Sequence, residues 1–113
     1  MSRRILRLNE LVQRELNQII LRDIEFPANI LVTLTRVDIT SDLSEAKVYI
    51  SCLPDSWISK AIKILKTNIY DIQQQLNNRL DIRMVPRIRF IEEKQTREAG
   101  RVEELLEKIK RQY

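Results

Sequence analysis

The sequence predicts an α+β sandwich of two layers, with helices covering one face of a three-stranded mixed sheet. Three observations predict it. Apolar residues recur at helical spacing near the start, in the middle and at the end of the chain; two β-rich segments are joined by a short turn; and a connection of about 35 residues separates the second strand from a third. A connection of that length through helices calls for a right-handed crossover to a parallel strand. With 113 residues the chain holds enough apolar surface for one core, so a single domain over residues 1–113 is expected.

Residues 3–22 read as the first helix. Ile5, Leu8, Val12, Leu16 and Ile19 fall on one stripe, and Arg3, Arg7 and Arg14 lie almost opposite. Residues 30–40 are rich in β-branched types and read as a strand. Its apolar positions, 32 and 34 and then 37 and 39, change phase near Arg36, which predicts a bulge. Thr40-Ser41-Asp42-Leu43-Ser44 makes a turn, and Ala46, Val48, Ile50 and Cys52 then line one face of a second, antiparallel strand.

Asp55 and Ser56 suit the N-cap of a helix whose positions 58, 62, 65, 69, 72, 76 and 80 hold one apolar face. That is long for so small a domain. Asn68 has low helix propensity and tolerates left-handed dihedrals, so a break or kink can fall there, although the periodicity does not require one and a straighter helix stays open. Lys60, Lys63, Thr67, Gln74 and Asn78 point away from the core. Residues 87–92 alternate, with Ile88 and Phe90 inward and Arg87 and Arg89 outward, as in a half-buried strand. From Thr96 onward, Val102, Leu105, Leu106, Ile109 and Tyr113 define a last amphipathic helix.

Composition removes most chemistry. There is no histidine, one cysteine (Cys52) and one glycine (Gly100). A structural zinc site then lacks a usable ligand set, and the commonest general base is missing. Neither a Walker loop nor a dinucleotide fingerprint can be written with one glycine. The carboxylate pairs Asp38 with Asp42 and Glu92 with Glu93 sit beside turns and need a metal or an unusual pocket before they could act. The expectation is a binding protein, not an enzyme, with no catalytic residue, cofactor or metal.

The formal charge of +4 hides an uneven distribution. Residues 1–22 carry five arginines against two acids, and residues 79–101 carry seven basic residues against four acids. Arginine supplies 13 of the 20 positive residues, and its flat fork suits phosphate oxygens. The distribution leans toward nucleic acid, although solvated helix faces explain such charge runs equally well. Ser2-Arg3-Arg4 resembles the start of a twin-arginine export signal, but the apolar segment such a signal needs does not follow. No membrane span is expected, and one unpaired cysteine fits a reducing compartment. The expected location is a bacterial cytoplasm, with an organelle interior as the second option.

Four groups of residues follow one another along the chain: Arg4 and Arg7 in the opening helix with Pro27 after it; Ser41-Asp42-Leu43 and then Ala46-Lys47-Val48-Tyr49-Ile50; Leu80, Arg83, Pro86 and Phe90; and Gly100-Arg101 with Leu105 and Leu106. The element order is that of the type II KH domain, an RNA-binding fold. In these four groups the sequence resembles the ribosome-binding factor A family in particular, matching its opening helix, its most recognisable stretch, its pattern of leucine, arginine, proline and aromatic, and its closing segment. One triplet departs from the pattern: where the family writes alanine, any residue, glycine at its helix kink, this chain has Asn68-Ile69-Tyr70.

The resemblance implies a type II KH-like fold and a non-catalytic assembly factor. Such a factor binds the immature small ribosomal subunit and its ribosomal RNA during late maturation and processing, with a part in cold adaptation and release by an assembly GTPase. On this expectation the chain is a monomer that contacts RNA through Arg3, Arg4, Arg7 and Arg14 on the first helix, Lys60, Lys63, Lys66 and Asn68 before and at the break, and Arg83, Arg87 and Arg89 around the third strand. Phosphate contacts of this kind give affinity and register with little sequence readout. The alternative is a protein-interaction module that docks or dimerises through the C-terminal amphipathic helix.

Overall fold

The computed structural model describes residues 3–94. The chain runs α1 (Arg3–Asp23), β1 (Leu31–Ile39), β2 (Glu45–Leu53), α2 (Ile58–Thr67), α3 (Ile69–Arg79) and β3 (Arg87–Glu92). β2 is central, antiparallel to β1 and parallel to β3. This is the α+β, type II KH-like sandwich with a mixed sheet that the sequence predicts. The expected last helix, from Thr96 through Val102, Leu105, Leu106, Ile109 and Tyr113, lies outside the described residues, as does Gly100.

Periodicity explains the layers. Along β2 the inward residues Ala46, Val48, Ile50 and Cys52 are buried, and they meet Val12, Leu16 and Ile19 of α1, Ala61 and Leu65 of α2, and Ile72 and Leu76 of α3 in one core. Ile5 and Leu8, near the start of α1, are only half-buried and pack on its margin. In β1 the pairing passes from Leu34↔Ile50 to Arg36↔Tyr49, so Thr35 is the extra residue of a bulge. The bulge lets both Leu34 and Val37 face the core while Arg36 faces out, which is the phase change visible in the sequence.

The β1–β2 turn is held by one carboxylate. Asp42 Oδ1 accepts hydrogen bonds from the Ser44 N–H (3.1 Å), Ser44 Oγ (2.7 Å) and Thr40 Oγ1 (2.7 Å). Leu43 between them adopts φ 62°, a left-handed conformation that costs a non-glycine residue about 1 kcal/mol or more. Its side chain packs on the core, which offsets that cost.

Two expectations about the second helical segment are corrected. Neither Asp55 nor Ser56 caps it: a 3₁₀ turn over Asp55–Trp57 precedes α2, and no side-chain cap hydrogen bond forms at the start of either segment. The turn's own carbonyls already accept the first free N–H groups, Trp57 donating to the Pro54 carbonyl and Ile58 to that of Asp55, which leaves a side-chain cap less to do. The long helix does break at Asn68, but with φ −100° and ψ 8°, not in the left-handed region. The cause is local competition for carbonyls. Thr67 Oγ1 donates to the Lys63 carbonyl (2.8 Å) and Asn68 Nδ2 to that of Ile64 (2.8 Å), and such back-bonding bends helices.

Side-chain and backbone clamps fix where the charged elements lie. Gln73 of α3 donates to the Pro86 carbonyl (3.1 Å) and accepts the Ile88 N–H (2.8 Å), fixing the start of β3. Asn9 Oδ1 accepts the Ile39 N–H (3.0 Å), and the Arg87 N–H donates to the Ser44 carbonyl (3.0 Å). The first turns of α1, the β1–β2 turn and the start of β3 therefore share one end of the molecule.

Candidate nucleic-acid interface

Basic side chains fall into two populations, those the fold engages and those it leaves to solvent. Arg3, Arg4 and Arg7 occupy the first turns of α1, all exposed, with no acid until Glu10. Arg83 precedes β3 in the loop at the same end, also exposed. Lys60, Lys63 and Lys66 are exposed on α2, a helix without an acidic residue. No ion pair between described residues engages any of these seven. Lys60 Nζ instead lies 5.0 Å from the ring centroid of Trp57, while Lys63 and Lys66 border a shallow hollow with Ser59, Ile62 and Thr67.

The other expected contacts are placed differently. Arg87 and Arg89 project from β3 on the sheet face opposite the helices, since Ile88 and Phe90 between and beyond them are buried inward. They therefore do not share a surface with the α2 lysines. Arg89 sits 3.6 Å from Glu45 Oε1, beyond hydrogen-bonding distance, and two-thirds of its side chain is exposed. Arg14 is 67% exposed and only loosely paired, its Nε 3.9 Å from Glu15 Oε1. Asn68 is half-buried; its amide is occupied within its own helix, and it borders a hollow with Asp23 and Asp71, an acidic setting that repels phosphate. Its place is that of a hinge that aims α2 and α3.

The engaged arginines explain why a count of charge overstates the surface. Arg79 Nη1 donates to Glu15 Oε2 (3.0 Å) and Gln18 Oε1 (2.9 Å), joining α3 to α1. Arg22 donates to Asp23 (3.0 Å) and to Gln75 Oε1 (2.6 Å), and Gln75 Nε2 returns to Asp23 Oδ2 (2.6 Å). Hydrogen bonds from Arg22 and Gln75 hold the Asp23 carboxyl below its usual range. Arg36, which sequence reasoning left aside as a bulge marker, stacks over Tyr49 (3.8 Å to the centroid) while its Nε donates to buried Glu93 (2.8 Å), raising its already high pKa. Tyr49 is its cross-strand partner just past the bulge, a pairing that no local pattern in the sequence shows.

One member of each acidic pair weighed as catalytic has structural partners. Asp42 is pulled down to about 2 by its hydrogen bonds from Thr40 and Ser44, so it is a poor proton acceptor. Glu93 accepts from Thr35 Oγ1 (2.9 Å) as well as Arg36. Among the described residues, no group of three or more histidines, cysteines, aspartates or glutamates is placed to hold a metal, and no helix is long and apolar enough to cross a membrane. Cys52 is a buried thiol whose pKa is raised by desolvation and by nearby Asp55.

Known proteins match this sequence and this arrangement of helices and sheet. The family model described as Ribosome-binding factor A matches residues 4–106. Ribosome-binding factor A of Clostridium perfringens is 36% identical over 107 residues, covering 92% of this chain and 92% of that protein. The crystal structure of ribosome-binding factor A from Thermus thermophilus has a TM-score of 0.68 at 24% identity and covers 78% of this chain and 93% of that one. Coordinates of the Thermus thermophilus factor fitted into the cryo-EM map of its 30S complex give a TM-score of 0.63 at 24% identity, covering 75% of this chain and 90% of that one. A match over residues 4–106, joined to an identity above one third across most of the length, leads to a single conclusion: the chain belongs to the ribosome-binding factor A family.

Proposed function

We propose that this chain is a non-catalytic assembly factor that binds the immature small ribosomal subunit and its ribosomal RNA during late maturation and processing. One observation carries the reading: two runs of exposed cations, Arg3, Arg4 and Arg7 on α1 and Lys60, Lys63 and Lys66 on α2, have no ionic partner among the described residues. A relative fitted into the map of a 30S complex supports the choice of partner. Arg14 and Arg83 extend these runs, and Arg87 and Arg89 supply a second, weaker contact from the sheet face. Asn68 sets the angle at which the α2 lysines meet the backbone. A role in cold adaptation and release by an assembly GTPase fit the same reading, in the bacterial cytoplasm and as a monomer.

The mechanism is displacement of counterions from phosphate. Six contacts of this kind give a log-log salt slope of roughly −5 on structured RNA, and recognition then follows the shape of the folded subunit more than its base sequence. Titrating small subunits at several salt concentrations measures that slope, and a flat response overturns the electrostatic mechanism. Sedimentation of cell extract tests the partner. The protein is expected to travel with free small subunits and not with complete ribosomes; equal association with both, or with neither, counts against an assembly factor.

A further inference from the structure

We propose that Tyr70 is a base-stacking contact for an unpaired stretch of RNA, placed where the lysine row of α2 runs out. The inference rests on the RNA-binding reading above and adds a second mode of contact to it. Tyr70 is 72% exposed, the most exposed aromatic side chain among the described residues, whereas Trp57 and Tyr49 are half-buried and covered by Lys60 and Arg36. Positions 63, 66 and 70 share one face of a helix. The break at Asn68 does not rotate that face away, because Leu65 before it and Ile72 and Leu76 after it are all buried in one core. The kink bends the axis while the buried face, and with it the outward one, keeps its phase.

Charge selects the occupant. Lys63 and Lys66 precede Tyr70 on that face and α2 has no acid; the acids near the break, Asp71 and Asp23, line the hollow beside Asn68, whose lining does not include Tyr70. An apolar protein surface gains little from lysines, whereas a single strand can place its phosphates on Lys63 and Lys66 and turn a base onto the ring. A duplex keeps its bases stacked inside and offers the ring nothing, so the contact discriminates unpaired from paired RNA.

The test uses the whole protein with two labelled probes, a mixed-sequence single strand of about ten nucleotides and the blunt duplex of the same sequence. Tyr70→Leu is expected to weaken single-strand binding about tenfold and Tyr70→Phe to stay within about twofold, because stacking needs the ring and not the hydroxyl. Duplex binding stays within about twofold of wild type in both variants. An unchanged Tyr70→Leu, an equal loss in both variants, or an equal loss on duplex overturns the assignment. Wild-type protein that sediments with small subunits but binds neither probe also overturns it, and points to a protein partner at this face. Wild-type protein that neither sediments with subunits nor binds RNA takes the functional reading down as well. Exposure of the side chain makes both variants fold, which circular dichroism and Tm check.

Discussion

The seam between α1 and α3 and the outer face of α2 both carry cations, and the fold treats them in opposite ways. In the seam each guanidinium has partners on the facing helix or the next residue: Arg79 on Glu15 and Gln18, Arg22 on Asp23 and Gln75. On α2 the three lysines have no acidic neighbour in their helix, and Lys60 rests over Trp57. Helix packing decides the difference, because α1 brings acids and amides against α3, whereas no ion pair among the described residues reaches an α2 lysine. A basic residue is thus informative about function only once its partner is known.

The largest separation of the two regions is expected from the triple change Lys60→Gln, Lys63→Gln and Lys66→Gln. Three lost phosphate contacts lower the salt slope of subunit binding from roughly −5 to roughly −3, with a loss of affinity on the order of tenfold or more near physiological salt. Stability falls by no more than about 1 kcal/mol, since the three side chains are exposed and outside any ion pair among the described residues, and Lys60 gives up its approach to the Trp57 ring. Urea unfolding beside the salt titration checks both halves. A triple variant that unfolds easily yet binds normally breaks the comparison.

Arg36→Ala should do the reverse, and by the next largest amount. It removes a 2.8 Å charge-assisted hydrogen bond to a carboxylate that is 3% exposed, together with the stack on Tyr49. Such bonds are worth about 1.5–3 kcal/mol, and the half-exposed guanidinium puts this one at the low end. Arg79→Ala follows at about 1 kcal/mol, its pair with Glu15 being about three-quarters buried or more on both sides. Neither variant is expected to change the salt slope. A slope that falls by about one unit in Arg79→Ala would mean that the seam opens to bind RNA.

Local patterns were enough to read the elements, because the information lies within a few residues of each. The bulge follows from the apolar phase change across Arg36, whereas the low helix propensity of Asn68 allowed a break there without requiring one. The candidate surface was legible as a set of exposed cations, since helical and strand periods say which residues face out. Its division was not. Arg79 meets Glu15 across 64 residues and Gln73 meets Ile88 across 15, and which face of one element meets another is settled by packing, which no local pattern carries. The cap expected at Asp55 or Ser56 failed for a related reason: a 3₁₀ turn supplied the carbonyls first.

The smallest effect tests whether the anions divide as the cations do. Asp23 and Asp42 both titrate below the usual carboxylate range, Asp23 chiefly through hydrogen bonds from Arg22 and Gln75, Asp42 at about 2 through hydroxyl and amide donors from Thr40 and Ser44. A folded pKa below the unfolded value of about 3.9 gives stability that is present above that value and lost as pH falls through the folded one. Asp42→Asn is therefore destabilising at neutral pH, and its deficit closes between about pH 4 and about pH 2. Salt separates the two carboxylates, because an ion-pair partner is screened in an exposed seam and neutral donors are not. Carboxyl carbon shifts followed by NMR should find the Asp23 midpoint rising toward its ordinary value in about 1 M salt while that of Asp42 stays at about 2. Equal movement of both midpoints would mean that the turn is held by the general field of a basic protein and not by the three short hydrogen bonds to Asp42.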